Sequence, residues 1–553
     1  MMDRRMKEKG RTVRWMRLAL WAGGMMAMPL MAQDAQTVSA YDPDTQQVFI
    51  GEDIAVAGTT YGKVRGFVMR GIYNFRGIPY GASTAGKNRF MPPREPEPWE
   101  GVRPTVAYGA SCPQSMYDRR PESYAMFVDH WNYDLLDEDC LRLNVWTPGL
   151  DGKKRPVLVW LHGGGYARGN GIEQDSYNGE NIVRQGDIVF VSVNHRLNAF
   201  GFSDLSKVGG EKYKDSGNAG LLDIIAALRW VHNNIANFGG DPGNVTIMGQ
   251  SGGGSKVCTV AAMPEAKGLV HKGVALSGNS FNATDKAYAE QLGQCILEEA
   301  GLTASEVDKL QDIPWEEYLR IGERATEKVN NLPRMGGRGG FSPVADGVHV
   351  PEGDFYAPGG AGPDIPMLFC STFHESSPTR DNPELEEITW EGVADKIRPA
   401  YGERAEKIVK AYSSQFPGRK PAEIWALITS NRKWVVETAN RKLQQKSPVY
   451  MAWFGWESPL FDGRHRAFHC LDISFWLMNT DLMITHTGGG SRPRALADKM
   501  GAALLQFMRT GNPNTESLPY WPEYTQEKGE TMILDDLCEV KDDPDREARK
   551  TLE

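Results

Sequence analysis

The chain has 553 residues, of which 41% are hydrophobic, 24% charged and 10% aromatic. That ordinary globular balance excludes collagen-like, low-complexity and wholly disordered readings. The formal charge of −9 leaves no basic surplus to neutralise phosphates, so no nucleic-acid partner is expected.

Residues 1–17 carry seven basic side chains against Asp3 and Glu8, and an apolar stretch, 18–32, follows before the polar run 33–36. A basic region, a short apolar region and a small residue at the exit predict a secretory signal peptide over 1–32, cleaved after Ala32. The apolar stretch contains Pro29 and two glycines. At 15 residues it falls short of the roughly 20 needed to span a bilayer. Its removal takes the net charge to −14 (55 basic, 69 acidic). The mature chain, 33–553, has no 18-residue apolar run, and an exported protein without an integral membrane span is expected, periplasmic or secreted.

Past a polar lead-in, short apolar runs alternate with helical patterns. The runs are 156–161 (PVLVWL), 188–194 (IVFVSVN), 245–248, 273–276, 365–369 and 448–454. Continuous apolar strands separated by helices imply a mostly parallel sheet buried on both faces, the α/β class. Residues 221–237 carry an apolar helical stripe that opens near Gly217 or Asn218 and is ended by Gly239-Gly240-Asp241-Pro242. Residues 284–330 and 384–445 are charged and amphipathic, and predict helical insertions capping one end of the sheet. A final helix over 494–509 is broken by Thr510-Gly511-Asn512-Pro513-Asn514. The whole reads as one catalytic unit over 33–553.

Seven cysteines, an odd number, are too few for a disulfide scaffold and leave at least one free thiol. In an exported chain a single bridge, Cys112–Cys140, is the best pair, since both flank a polar, loop-like segment. Cys258, Cys370 and Cys470 sit in apolar patterns and read as small buried hydrophobes. With no CxxC and no spaced Cys/His set, no zinc site is expected.

Gly249-Gln250-Ser251-Gly252-Gly253 fits G-x-S-x-G. The pattern alone is weak, and its context raises it: an apolar strand runs in and a helix of small residues leaves. Such a tight corner strains the serine backbone, and flanking glycines relieve clashes between strand and helix. A second element, His162-Gly163-Gly164-Gly165, directly follows the strand 156–161. Consecutive glycines expose bare N–H groups, and Gly164, Gly165 and Gly252 would form a three-donor oxyanion hole. A serine hydroxyl needs a base. In the chain order serine, acid, histidine, His469 and Glu375 are the candidates, each on a loop beyond a late strand. Asp364, Asp381 and Asp472 compete for the acid role, Asp472 reading better as a structural carboxylate. His374 reads as a bystander.

Several long strings complete the picture, among them 74–80 (NFRGIPY), 138–145 (EDCLRLNV), 194–197 (NHRL), 234–242 (NIANFGGDP), 341–347 (FSPVADG) and 510–514 (TGNPN). Over roughly 60–540 the chain resembles the type-B carboxylesterase family, which includes para-nitrobenzyl esterases and cholinesterases. The resemblance implies an α/β-hydrolase fold, Ser251 as nucleophile, Glu375 as acid, His469 as base, and oxyanion donors at Gly164, Gly165 and Gly252. It further implies a bridged Cys112–Cys140 loop, a supporting role for Ser277 beside a buried carboxylate, and a gorge-side placement of Trp131. Three departures stand out. Gln250 replaces a common Glu, which weakens any case for a cationic alcohol; Gly252 replaces the usual Ala, which should loosen the turn; Ser376 follows the acid where Gly is common.

The expected reaction is cofactor-free hydrolysis of a small-molecule carboxylic ester. A binding ectodomain on the same fold is the rival from another class, and amide, carbamate or lactone cleavage the rival within the class. Specificity and oligomeric state are not legible, although the helical insertions and the loops near Trp131, Arg338 and His486 bear on the former; the Met-rich stretch 478–484 reads as core packing in preference to a pocket lining.

Overall fold

The computed structural model describes residues 47–115, 125–128, 132, 135–332 and 339–553. The expected leader and its cleavage point, Trp131 and Arg338 lie outside these residues.

The strands in chain order are β1 (Val48–Phe49), β2 (Val56–Thr59), β3 (Gly62–Arg65), β4 (Phe67–Met69), β5 (Ile72–Pro79), β6 (Val102–Pro104), β7 (Arg142–Thr147), β8 (Arg155–Leu161) and β9 (Val189–Val193). They continue with β10 (Gly240–Gln250), β11 (Lys272–Leu276), β12 (Met367–Thr372), β13 (Val449–Phe454), β14 (Glu530–Leu534) and β15 (Glu539–Asp542). Twelve of them form one sheet in the order β1-β4-β5-β7-β9-β8-β10-β11-β12-β13-β14-β15, and β2, β3 and β6 form a second small sheet. From β9 to β14 every neighbouring pair is parallel. The antiparallel pairs lie toward the two edges.

Each apolar run expected as a strand is one, and the reason is visible in β8. Val157, Val159 and Leu161 enter one core cluster with Leu221, Ile224 and Leu228 of the helix Ala219–Asn234. Leu158 and Trp160 enter the other with Leu504 and Phe507 of the helix Ser491–Thr510. A strand buried on both faces has no solvated side, so its residues are apolar without alternation. The helix Ala219–Asn234 follows Asn218, whose side-chain amide donates to Val344 O and Asp346 instead of capping the helix. Gly511, in the left-handed conformation at φ 79°, ends the last long helix.

The first charged insertion contains helices Lys286–Glu299 and Trp315–Asn330. The second contains Trp390–Tyr401, Ala405–Gln415, Pro421–Ile428 and Arg432–Lys442, the last packed on β12 and β13. No helix among the described residues is long and apolar enough to cross a membrane.

Register decides where the chemistry collects. Gly249 of β10 pairs with Leu161 of β8, and Gln250 with Leu276 of β11. Thr372 of β12 pairs with Phe454 of β13. The loops leaving these carboxyl ends therefore emerge together, at the edge where open α/β sheets bind ligands.

Candidate active site

Ser251 sits between β10 and the helix Gly252–Val260 with φ 57° and ψ −125°. A non-glycine residue there carries backbone strain of about 1–3 kcal/mol, held only because the surroundings over-determine it. Its N–H donates to Leu276 O at 2.8 Å, and its carbonyl accepts from Ser255 at 3.1 Å. A Cβ on Gly253 would lie 2.0 Å from Leu161 O, and one on Gly249 2.5 Å from the Gly253 backbone. These glycines let strand, corner and helix close on one another.

The glycine loop follows β8 directly. Gly164 and Gly165 have φ values of 79° and 63°. The carbonyl of Gly164 accepts from Ala167 and Arg168, at 3.3 and 3.1 Å. The loop presses on residue 252: a Cβ there would meet Gly165 O, Cα and N at 2.3, 2.4 and 2.5 Å. The expected loosening at Gly252 is thus not what the structure shows. Loop backbone fills the space a methyl would need.

On the other side of the cleft, Glu375 lies three residues beyond β12. Its Oε1 accepts from Thr372 N–H at 2.9 Å, and its Oε2 pairs with His469 Nδ1. Neighbouring His374 brings acid and base loops together. It bridges in parallel to Phe468, its N–H donates to Ala467 O at 3.1 Å, and its Nδ1 accepts from Ala467 N–H at 3.4 Å. Wholly buried, it is held well below the ordinary histidine pKa by desolvation and by Arg419 and Arg466. It is a structural histidine. Arg466, also buried, anchors the base loop through Thr379 Oγ1 at 2.9 Å and Glu386 at 2.7 Å.

Burial opposes protonation of His469, but Cys470 and the Glu375 carboxylate outweigh it and raise its pKa well above the ordinary value. The two ring nitrogens also lie 3.3 and 3.2 Å from Gln250 Nε2, whose Oε1 accepts from Cys470 Sγ at 3.3 Å. Among the described residues, the imidazole bonds to Glu375, Gln250 and Cys470, and no bond to Ser251 is formed. Asp472 is wholly buried, and desolvation with the Glu375 charge raises its pKa to about 7.

Ser251, His469, Gly164, Gly165, Gln250 and Cys470 line one cleft of about 320 Å³, together with Glu173 and Tyr177. Ser251, Gly164, Gly165 and His469 thus share this edge of the sheet, with Gly252 next to the serine and Glu375 against the histidine. Several other expectations change. Cys470 is half-buried at the cleft and is not a core hydrophobe. Ser277 Oγ is buried and makes no direct hydrogen bond to a carboxylate among the described residues. The bridge Cys112–Cys140 is not formed. Both are free, buried thiols whose side chains hydrogen-bond each other, the contact that most raises the Cys140 pKa. His486 is buried, donates Nε2–H to Val128 O at 2.9 Å and is pulled down to about 4 by desolvation, which makes it a packing residue. Met478 and Met483 are buried, in keeping with the core packing expected of 478–484. Sequence reasoning missed Lys256 and Glu173, and took Gln250 only as an absent charge.

A parallel sheet flanked by helices, with a serine corner beyond one strand and an acid–histidine pair beyond later ones, is the α/β-hydrolase fold. A carboxylesterase family model matches residues 53–550, and the chain belongs to that family. It is a carboxylic ester hydrolase. It is 34% identical to the para-nitrobenzyl esterase of Bacillus subtilis over 513 residues, 90% of this chain and 98% of that one. It is 31% identical to the phenmedipham hydrolase of Pseudarthrobacter oxydans, over 90% of this chain and 99% of that one. Among solved structures, an esterase from Clostridium hathewayi that can hydrolyze aliphatic aromatic polyesters superposes with a TM-score of 0.78 at 34% identity, covering 92% of this chain and 99% of that one. A Geobacillus stearothermophilus carboxylesterase gives 0.75 at 33% identity, covering 90% and 100%.

Proposed function

We propose that the protein is an exported serine esterase that cleaves small-molecule carboxylic esters through an acyl-enzyme on Ser251. His469 takes the Ser251 hydroxyl proton as Oγ attacks the ester carbonyl, and Glu375 orients and stabilises the imidazolium. The N–H groups of Gly164, Gly165 and Gly252 receive the developing oxyanion, one such donor contributing about 3 kcal/mol to barrier lowering. His469 then protonates the leaving alcohol and activates the water that releases the acid. For Ser251 Oγ to reach the imidazole, the Gln250 amide gives up its contact with Nε2. A second cavity of about 360 Å³, lined by Leu319 and Phe341 among others, shares Ala167 and Arg168 with the cleft and offers room for one side of the ester.

The observation that carries this reading is the Glu375–His469 pair facing Ser251 and the glycine loop across one cleft. Ser251→Ala should fold normally, lose turnover of a para-nitrophenyl ester and take no label from a fluorophosphonate probe; an unchanged rate removes the assignment. Export is read from residues 1–32. A product recovered from the periplasm or medium should begin after Ala32, and a mature protein still starting at Met1 would refute it. In that compartment the adjacent Cys112 and Cys140 thiols would pass two electrons and two protons to a disulfide oxidant. Closing that loop stabilises by roughly 3–4 kcal/mol on chain-entropy grounds, and thiol counts before and after reduction should differ by two.

A further inference from the structure

Lys256 is a wholly buried lysine in the middle of the helix that starts at Gly252. Its Nζ donates to His162 O at 2.9 Å, and it lies 5.7 Å from the centre of the Tyr166 ring. The helix comes close enough for this because Gly253 has no side chain. A Cβ there would also meet His162 O, at 2.9 Å.

That carbonyl belongs to the first peptide of the glycine loop, and the next two peptides are held as well. Gly163 O can only accept, so His162 Nδ1, 2.9 Å away, donates to it. Gly164 O accepts from Ala167 and Arg168. A trans peptide points its N–H opposite to its carbonyl. Anchoring the Gly163 and Gly164 carbonyls thus aims the N–H groups of Gly164 and Gly165 the other way. Those two anchors lie within the loop. Lys256 alone among these donors comes from the serine's helix, and so sets the loop relative to the nucleophile.

We propose that Lys256 is a positioning residue for ester hydrolysis, holding the His162 carbonyl from the nucleophile's own helix and thereby fixing the glycine-loop amides against Ser251. The inference rests on the reading of Gly164, Gly165 and Gly252 as oxyanion donors. The groups around the ammonium fit the role. Desolvation lowers Lys256 to about 7 while Glu173 opposes the fall. Desolvation raises Glu173 to about 7, against the Tyr177 hydroxyl at 2.9 Å, Lys256 and Arg168. His162 and His195, stacked with ring centres 5.0 Å apart, are kept neutral by burial, with Lys256 adding to the effect. A neutral amine still donates, so the tie to His162 persists in either protonation state.

Lys256→Met and Lys256→Gln separate positioning from mere stability. A trifluoromethyl ketone that adds to the serine and places its oxygen where the oxyanion forms reports the hole directly. In Lys256→Met, kcat should fall about 10–100-fold, part of what loss of a whole donor causes, and the ketone Ki should rise by the same factor. KM should stay within about twofold, because ground-state binding does not use the hole. Lys256→Gln, which keeps an N–H donor, should lie between Met and wild type in both quantities. Unchanged kcat and Ki, whatever happens to Tm, overturn the proposal, as does a change in KM alone. If Lys256→Met does not fold, the wild type and Lys256→Gln decide by the same criterion. Ser251→Ala tests the serine mechanism separately: turnover surviving there would sink that mechanism irrespective of the Lys256 variants.

Discussion

At the Ser251 corner the main chain does the holding, whereas the His469 loop is held by side chains from far along the sequence. Ser251 is fixed by β10, by the helix that follows and by glycines whose missing Cβ atoms let Leu161, Gly165 and Gly253 approach. His469 depends on Glu375, on the His374–Phe468 bridge and on Arg466 reaching Thr379 and Glu386. One half of the site is thus set by backbone sterics and the other by polar tertiary contacts. The two halves should fail differently: the corner all at once, through clash, and the loop by degrees, through lost orientation.

The largest effect should come from Glu375→Gln, which keeps shape but removes the charge that orients His469. By analogy with triad carboxylate-to-amide changes, kcat should fall on the order of 10³–10⁴-fold. The same variant carries a pH signature. Hydrolysis needs neutral His469, whose pKa the carboxylate helps raise, so activity is lost as pH falls through that raised value. Without the carboxylate the acid limb of kcat/KM should move to lower pH, and a limb that stays put would take Glu375 out of the role.

Gly253→Ala should break the corner in the other manner. With a methyl 2.0 Å from Leu161 O, backbone must move, and the loss of stability should exceed about 3 kcal/mol by denaturant melt. A normally stable Gly253→Ala would show the corner to be softer than its packing implies. Arg466→Ala should cost less, about 2 kcal/mol for the lost charged hydrogen bonds. Its partner Glu386 keeps an ion pair with Lys420, at 3.7 Å. Its kcat should drop severalfold with KM little changed, as expected for a misoriented base. The smallest effect, and the sharpest in sign, belongs to Gln250→Glu. A second carboxylate against the imidazole should move the acid limb to higher pH, opposite to Glu375→Gln.

Legibility in the sequence follows the same division. The parallel strands could be read because burial on both faces leaves unbroken apolar runs such as 156–161, and the corner because glycine spacing records local sterics. Acid and base could be found only by order along the chain and by resemblance, since their pairing forms between loops 94 residues apart. Lys256 was hidden by its setting. A single lysine in a small-residue helix looks like an exposed position until the approach of His162 is known. Gln250 illustrates the same limit, because residue type discloses a missing charge but not an amide placed against both nitrogens of the base. Cys112 and Cys140 were correctly brought side by side, while the covalent bond belongs to redox conditions that sequence patterning does not encode.

The contact between residue 252 and the backbone of Gly165 constrains how this enzyme could change. Introducing an alanine at 252 would force the neighbouring turn outward before any benefit could appear, so the two positions must vary together or in a set order. Libraries that diversify residues 163–168 and 252 in concert should recover active variants that one-at-a-time scanning discards.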